Sequence, residues 1–168
     1  TGKIEFSNYY LKYRPDTEFV LKKISFTIRN REKIGVVGRT GAGKSTLCLA
    51  LCRIIEAHSG SIIIDGVDIS KIGLEQLRDK ITIIPQEPTL FNGTLRFNLD
   101  PKQKYSDDEL LELTNQAALS KLIDRDDKGL DQNIDENGQN LSSGEKQLIC
   151  ICRAALKKNK VVLMDEAT

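Results

Sequence analysis

The spacing of apolar and polar positions changes along the chain and divides it into elements. Residues 3–13 and 19–28 mix β-branched and aromatic side chains with polar ones, and the turn-forming Arg14-Pro15-Asp16 lies between them, so the chain is expected to open on a β-rich entrance. A short apolar strand is predicted over residues 33–37. A run of glycines follows it, and then residues 45–55, whose apolar positions recur at helical spacing. Residues 61–64 and 81–84 read as two more short strands, closed by Asp65-Gly66 and by Pro85, with a short helix over residues 74–80 between them.

From Tyr105 to about residue 128 the pattern turns helical and acidic, and it opens on Ser106 with Glu109 three residues on, the spacing of a capping box. Ser142 with Glu145 offers a second such start, for a helix running to about residue 158, and residues 160–164 read as a final strand. Strands interleaved with helices indicate an α/β domain with a largely parallel sheet, and the helical insert marks a second lobe. There is no internal repeat or low-complexity segment.

Composition narrows the function more than the fold. A chain of 168 residues, 39% apolar and 29% charged, fits one globular domain. Its 25 basic and 24 acidic side chains leave a net charge of +1, which gives no electrostatic footprint for nucleic acid or an anionic membrane surface. No apolar stretch approaches the roughly eighteen residues of a spanning helix, and no signal-type run opens the chain, so this segment reads as soluble and not secreted. Cys48, Cys52, Cys150 and Cys152 form no C-x-x-C pair, and His58 is the single histidine, so the thiols are expected to pack rather than bind metal or cross-link. Thr1 opens the sequence without a methionine and Thr168 follows directly on a strand-like run, so a fragment of a longer chain is expected.

The first chemical motif is Gly38-Arg39-Thr40-Gly41-Ala42-Gly43-Lys44-Ser45, a complete G-x-x-x-x-G-K-[ST] between a predicted strand and a predicted helix. Its glycines let the backbone turn tightly and aim N–H groups inward, and the helix start adds partial positive charge, so a triphosphate finds a concave anion site. Lys44 is placed to reach the β- and γ-phosphates, the Ser45 hydroxyl to ligate Mg²⁺, and Thr46 to add a phosphate contact.

The second is the apolar run Val161-Val162-Leu163-Met164 ending in Asp165-Glu166. In phosphate-loop proteins such a strand lies beside the loop. Asp165 is then assigned to Mg²⁺, through water, and Glu166 is assigned as the catalytic base that polarises an attacking water.

The order of the phosphate loop, Gln86 after a strand, Leu141-Ser142-Ser143-Gly144-Glu145 opening a helix, and Asp165-Glu166-Ala167-Thr168 resembles ATP-binding cassette domains throughout. The stretch ITIIPQEPTLFNGTLRFNLDP, with VVGRTGAGKST, is similar to the second nucleotide-binding domain of multidrug-resistance-associated (C-subfamily) exporters. The resemblance implies a P-loop NTPase (RecA-like) core with a mainly parallel sheet, an N-terminal antiparallel β subdomain and an inserted α-helical subdomain. It implies a partial nucleotide-binding domain over 1–168, divided into a β and phosphate-loop core (1–90), a helical signature subdomain (91–158) and the Walker B strand (159–168).

It further implies that Tyr13, followed by Arg14, stacks on adenine, and that Gln86 ligates Mg²⁺, senses the γ-phosphate and touches the coupling helices of a membrane domain. Leu141, Ser142, Ser143, Gly144 and Glu145 correspond to the signature that binds ATP held by a facing cassette. Residues 135–140 correspond to a loop that in exporters can touch the partner's coupling elements. The implied cofactors are ATP and Mg²⁺. The implied partners are a second nucleotide-binding domain and transmembrane domains, at the cytoplasmic face of a membrane, with no nucleic acid.

Two residues depart from the family pattern: Ser143 replaces glycine or a small apolar residue, and Glu145 replaces glutamine. Glu145 either brings negative charge near a phosphate or serves as the far half of a capping box with Ser142. The sequence also stops before the family's D-loop and switch histidine, and His58 lies in the wrong region to serve, so the chain by itself is expected to hydrolyse ATP poorly.

Three functions are compatible with this reading: the ATPase of an exporter, a regulatory cassette of a channel or channel regulator, and a soluble cassette ATPase acting on ribosomes or DNA. Retention of Glu166 counts against the second, and near-neutral charge with the exporter-like segment after Gln86 against the third. A small-molecule kinase or GTPase shares the loop, but neither needs a signature helix.

Overall fold

The computed structural model describes residues 1–165, which form two compact units. The first comprises Thr1–Thr82 with Lys160–Leu163, and the second Ile83–Asn159 with Met164 and Asp165.

The first unit is built on β1 (Ile4–Leu11), β2 (Leu21–Ile28), β3 (Ser59–Ile64) and β4 (Val67–Asp68), paired antiparallel in the order β2-β1-β3-β4. Alternation along β1 sends Ile4, Phe6, Tyr9 and Leu11 inward, and the phase slips between Phe6 and Tyr9 because the register shifts there. Asn8 takes a positive φ of 42° at the bulge, and its amide donates to Ser25 Oγ at 2.8 Å. Phe6 lies opposite Phe26 on one neighbour and Ile62 on the other, and its ring stacks on Phe26 with centroids 4.6 Å apart. Helices α1 (Lys44–Leu51) and α2 (Leu74–Asp79) add Ala50, Leu51 and Leu77 to this core, where each fully buried large aliphatic side chain contributes about 1.5–3 kcal/mol.

The helix predicted over 45–55 stops early for a local reason. Arg53 adopts φ 47°, its amide donates to the Ala50 carbonyl at 3.0 Å, and the Ile54 amide donates to Leu49 at 2.9 Å, the paired bonds of a Schellman end. The side chain repays the left-handed backbone, since Arg53 Nη1 donates to the carbonyls of Ile69 and Ile72, both at 2.8 Å.

The second unit contains the hairpin of β6 (Gly93–Thr94) and β7 (Asn133–Ile134) and the helices α3 (Leu95–Leu99), α4 (Asp107–Gln116), α5 (Ser120–Ile123) and α6 (Ser143–Lys157). Both predicted capping boxes form, Ser106 with Glu109 at α4 and Ser142 with Glu145 at α6. The helical run predicted over 105–128 is divided by a second Schellman end: Ala118 has φ 59°, its amide donates to Asn115, and the Leu119 amide donates to Thr114 at 2.8 Å. Ile149, Cys152 and Leu156 of α6, at spacings of three and four, face a core of Leu90, Leu95, Leu99, Leu110, Leu119 and Leu122, among others.

Strands β5 (Ile81–Ile84) and β8 (Val161–Met164) pair in a two-stranded sheet, and the Asp165 amide donates to the Ile84 carbonyl at 3.1 Å. Their carboxyl ends therefore lie side by side and the strands run in the same direction. The strand expected over 33–37 does not form: among the described residues no ladder includes it, and Ile34, Val36 and Val37 are exposed, Val37 at 96%. An apolar run has the propensity of a strand, but a ladder also needs a paired neighbour, which no described strand provides.

Cys52, Cys150 and Cys152 are buried, Cys48 is half-buried, and none is in a disulfide. Among the described residues no cluster of histidine, cysteine, aspartate or glutamate could hold a metal ion, and no helix is long and apolar enough to cross a membrane. Burial pushes the Cys152 thiol up to about 11, so at pH 8 only about one molecule in a thousand carries the reactive thiolate there. Iodoacetamide at pH 8 should label Cys48 well before the other three and reach Cys152 only on unfolding. Labelling of Cys152 at the rate of Cys48 would mean that α6 opens locally in the native protein.

Candidate functional site

The phosphate loop closes on itself through a turn in which the Ala42 amide donates to the Arg39 carbonyl at 3.0 Å. Gly41 and Gly43 have φ of 81° and 90°, a region that side-chain-bearing residues adopt at a cost. At Gly43 a Cβ would also press on Leu21 Cδ2 and Val20 Cγ1, each 3.2 Å away, so both conformation and packing select glycine. Gly43 is the N-cap of α1 and no side chain caps it. A helix start without a side-chain cap suits an anion, and the helix dipole adds to the attraction.

Lys44 folds back over the loop, with Nζ donating to the carbonyls of Gly38 at 2.8 Å and Arg39 at 3.2 Å. Arg39, Thr40, Gly41 and Ala42 are exposed, Ser45 is exposed at the first turn, and Thr46 is buried at 3% exposure. Tyr13 lies just beyond β1 and is 52% exposed, and its hydroxyl shares a 2.9 Å hydrogen bond with Thr46 Oγ1. The structure therefore joins Tyr13 to the loop through Thr46, whose hydroxyl faces the tyrosine.

In the second unit Gln86 is exposed two residues beyond β5, and Asp165 is half-buried one residue beyond β8. The Asp165–Ile84 backbone bond sets these two strand ends together, the end of an α/β sheet at which ligands collect. Glu166 lies outside the described residues.

The signature residues open α6. Leu141 is buried in the second core and anchors the entry, Ser142 is the N-cap, and Ser143 and Gly144 are exposed in the first turn. Nothing lies within 4 Å of where a Cβ on Gly144 would stand. Ser142 Oγ accepts from the Glu145 amide, and Glu145 Oε2 accepts from the Ser142 amide at 2.8 Å and from its hydroxyl at 2.9 Å. Glu145 is thus turned to the cap. Burial pushes its carboxyl up, but the Ser142 bonds and the Arg125 guanidinium outweigh burial and hold it below its ordinary value. The loop before it is self-bonded: Asn140 accepts from the Asp135 amide at 3.0 Å and donates to the Asn133 carbonyl at 2.8 Å. At Gly138, φ is 64° and a Cβ would lie 2.7 Å from Leu90 Cδ1, so glycine is favoured where this loop seats on the core.

The ABC transporter family profile matches residues 21–168. The chain belongs to the ABC transporter family. Over 167 residues it is 53% identical to ATP-binding cassette sub-family C member 2 of Homo sapiens and 52% identical to ABC transporter C family member 2 of Dictyostelium discoideum. Both comparisons cover 99% of this chain, but only 11% and 12% of those relatives. Among solved structures it is similar to a bacterial Atm1-family ABC exporter with ATP bound, with a TM-score of 0.92 and 34% identity over 99% of this chain and 29% of that one. The expected α/β phosphate-loop fold, the family and the likeness to C-subfamily members are borne out. Family membership implies ATP binding, and the positive-φ glycines and uncapped start of α1 fit a triphosphate.

Sequence reasoning missed a latch between the segment after Gln86 and α6. Asn98, fully buried, accepts from the Phe91 amide at 2.9 Å and donates to the carbonyls of Phe91 at 2.8 Å and Thr94 at 3.1 Å. Arg153 of α6 donates to Thr89 O at 2.6 Å and Asn98 Oδ1 at 2.8 Å, and lies over the Phe91 ring. A helix of only five residues carries too little periodic signal to show that its polar residue is buried, so the burial of Asn98 was not legible. Asn98→Ala would leave the Phe91 amide and the Arg153 guanidinium short of partners, and a loss of about 2–4 kcal/mol is expected in urea unfolding. A change below about 0.5 kcal/mol would show that the latch is not a structural bond.

Proposed function

We propose that this chain is the ATP-binding and ATP-hydrolysing part of a transporter that exports a solute across a membrane. The observation that carries the reading is the phosphate loop: two left-handed glycines, an uncapped helix start and a lysine folded over its own carbonyls. Lys44 exchanges those carbonyls for the β- and γ-phosphates when ATP enters, and the first-turn amides of α1 take up phosphate oxygens. Tyr13 presents an exposed ring to adenine, and its bond to Thr46 ties the base platform to the loop. Ser45, Gln86 and Asp165 carry hard oxygen atoms suited to Mg²⁺, which when bound supplies charge neutralisation at the β- and γ-phosphates. Glu166 serves as the general base for the attacking water.

The solvent-facing start of α6, from Leu141 through Ser142, Ser143 and Gly144 to Glu145, receives the γ-phosphate of ATP on a second nucleotide-binding domain. The empty space around Gly144 suits close approach from outside. The Asn98–Arg153 latch links that helix to the segment following Gln86, and the exposed Phe91 and Phe97 rings, 6.4 Å apart, offer an apolar contact for transmembrane domains. On this reading the domain works at the cytoplasmic face of a membrane, as part of an integral membrane transporter, with 1–90, 91–158 and 159–168 as its functional divisions.

Titration calorimetry with Mg·ATP tests the reading: Lys44→Ala should weaken binding about 10- to 100-fold through loss of charge-assisted bonds. Steady-state turnover with a second cassette should fall to background in Glu166→Gln while binding persists. Turnover indifferent to Glu166 would replace the energising reading with a regulatory cassette, and unaltered binding by Lys44→Ala would remove the site.

A further inference from the structure

Glu145 places a carboxylate in the first turn of α6, where the proposed function needs an anion to dock. The second unit contains the answer to that conflict. The Arg125 guanidinium pairs with Glu145 Oε1, while Oε2 is held by the Ser142 amide and hydroxyl. Both oxygens of the carboxylate are therefore engaged by groups other than the Ser143 and Gly144 amides. The pairing is not left to a free side chain: Arg125 follows Asp124, the C-cap of α5, whose Leu122 and Ile123 are buried in the second core, and its own amide donates to the Leu122 carbonyl. Glu145 is the more enclosed partner, with its side chain 19% exposed against 52% for Arg125.

We infer that Arg125 is a positioning residue for the signature end of α6: by pairing with Glu145 it neutralises the acidic side chain and fixes it in the cap, so that this helix start accepts a phosphate. The inference rests on the proposed role of the signature in binding ATP across a dimer. Without Arg125, the carboxylate's charge stands uncompensated within one turn of the incoming phosphate and opposes it, as the helix dipole alone is equivalent to only about half a charge. A neutral amide at residue 145 needs no such partner, because it can cap the helix with its oxygen and repels no anion.

The test is ATP-driven association of the chain, followed by sedimentation in wild type, Arg125→Ala, Glu145→Gln, the double variant and Ser142→Ala. Arg125→Ala should raise the ATP concentration for half-maximal association about fivefold, the upper end for a partly exposed ion pair, and added salt should shrink the difference. Arg125→Ala with Glu145→Gln should return to within about twofold of wild type. Equal behaviour of Arg125→Ala and wild type, or a double variant as weak as Arg125→Ala, overturns the inference, since a purely structural arginine would not be rescued by removing a charge elsewhere. A second readout needs no association: the carboxyl carbon of Glu145, followed by NMR, should titrate at higher pH in Arg125→Ala, and an unmoved midpoint also overturns the inference. Wild type that fails to associate with ATP, or that associates equally well as Ser142→Ala, defeats the across-dimer reading instead, and does so whatever the Glu145 titration gives.

Discussion

An α-helix begins with amides that have no partner inside it, and this chain treats the starts of its two functional helices in opposite ways. At α1 a left-handed glycine stands at the N-cap without a capping side chain, and the loop before it curls into an anion cradle. At α6 a capping box closes the start, with Ser142 and Glu145 bonded reciprocally and Arg125 holding the outer carboxylate oxygen. One end presents a helix start that no side chain caps. The other holds its donors in a polar arrangement whose net charge is balanced.

Both arrangements depend on packing in their own unit. In the first, the antiparallel sheet and the α1 face share one apolar core, and Val20 and Leu21 press on the position where any residue but glycine would carry a Cβ at Gly43. In the second, Leu141 and Ile149 anchor α6 in the core, and Gly138 lets the preceding loop lie against Leu90. The Asn98–Arg153 latch then makes the segment after Gln86 and the signature helix neighbours through hydrogen bonds.

Several of the chain's interruptions are also structural devices. Arg53 and Ala118 end helices from left-handed conformations that favour glycine, and each is held by a Schellman pair of backbone bonds. Arg53 adds two bonds to the carbonyls of Ile69 and Ile72, which helps offset its strain. Neither helix end announces itself in sequence, because the residues there are ordinary helix formers.

The sequence by itself determined what is local: the phosphate-loop glycines and lysine, the two Ser-x-x-Glu capping boxes, most strand and helix positions, and the order of motifs that marks the family. Those features rest on spacing of a few residues, which the chain carries wherever it folds. Tertiary structure decided what depends on a distant partner. It left residues 33–37 unpaired despite their apolar pattern, buried Asn98, joined Tyr13 to Thr46, and settled the ambiguous Glu145 by bringing Arg125, twenty residues away, onto its carboxylate. A ladder, a buried amide and an ion pair each need a second group whose position only the folded chain supplies.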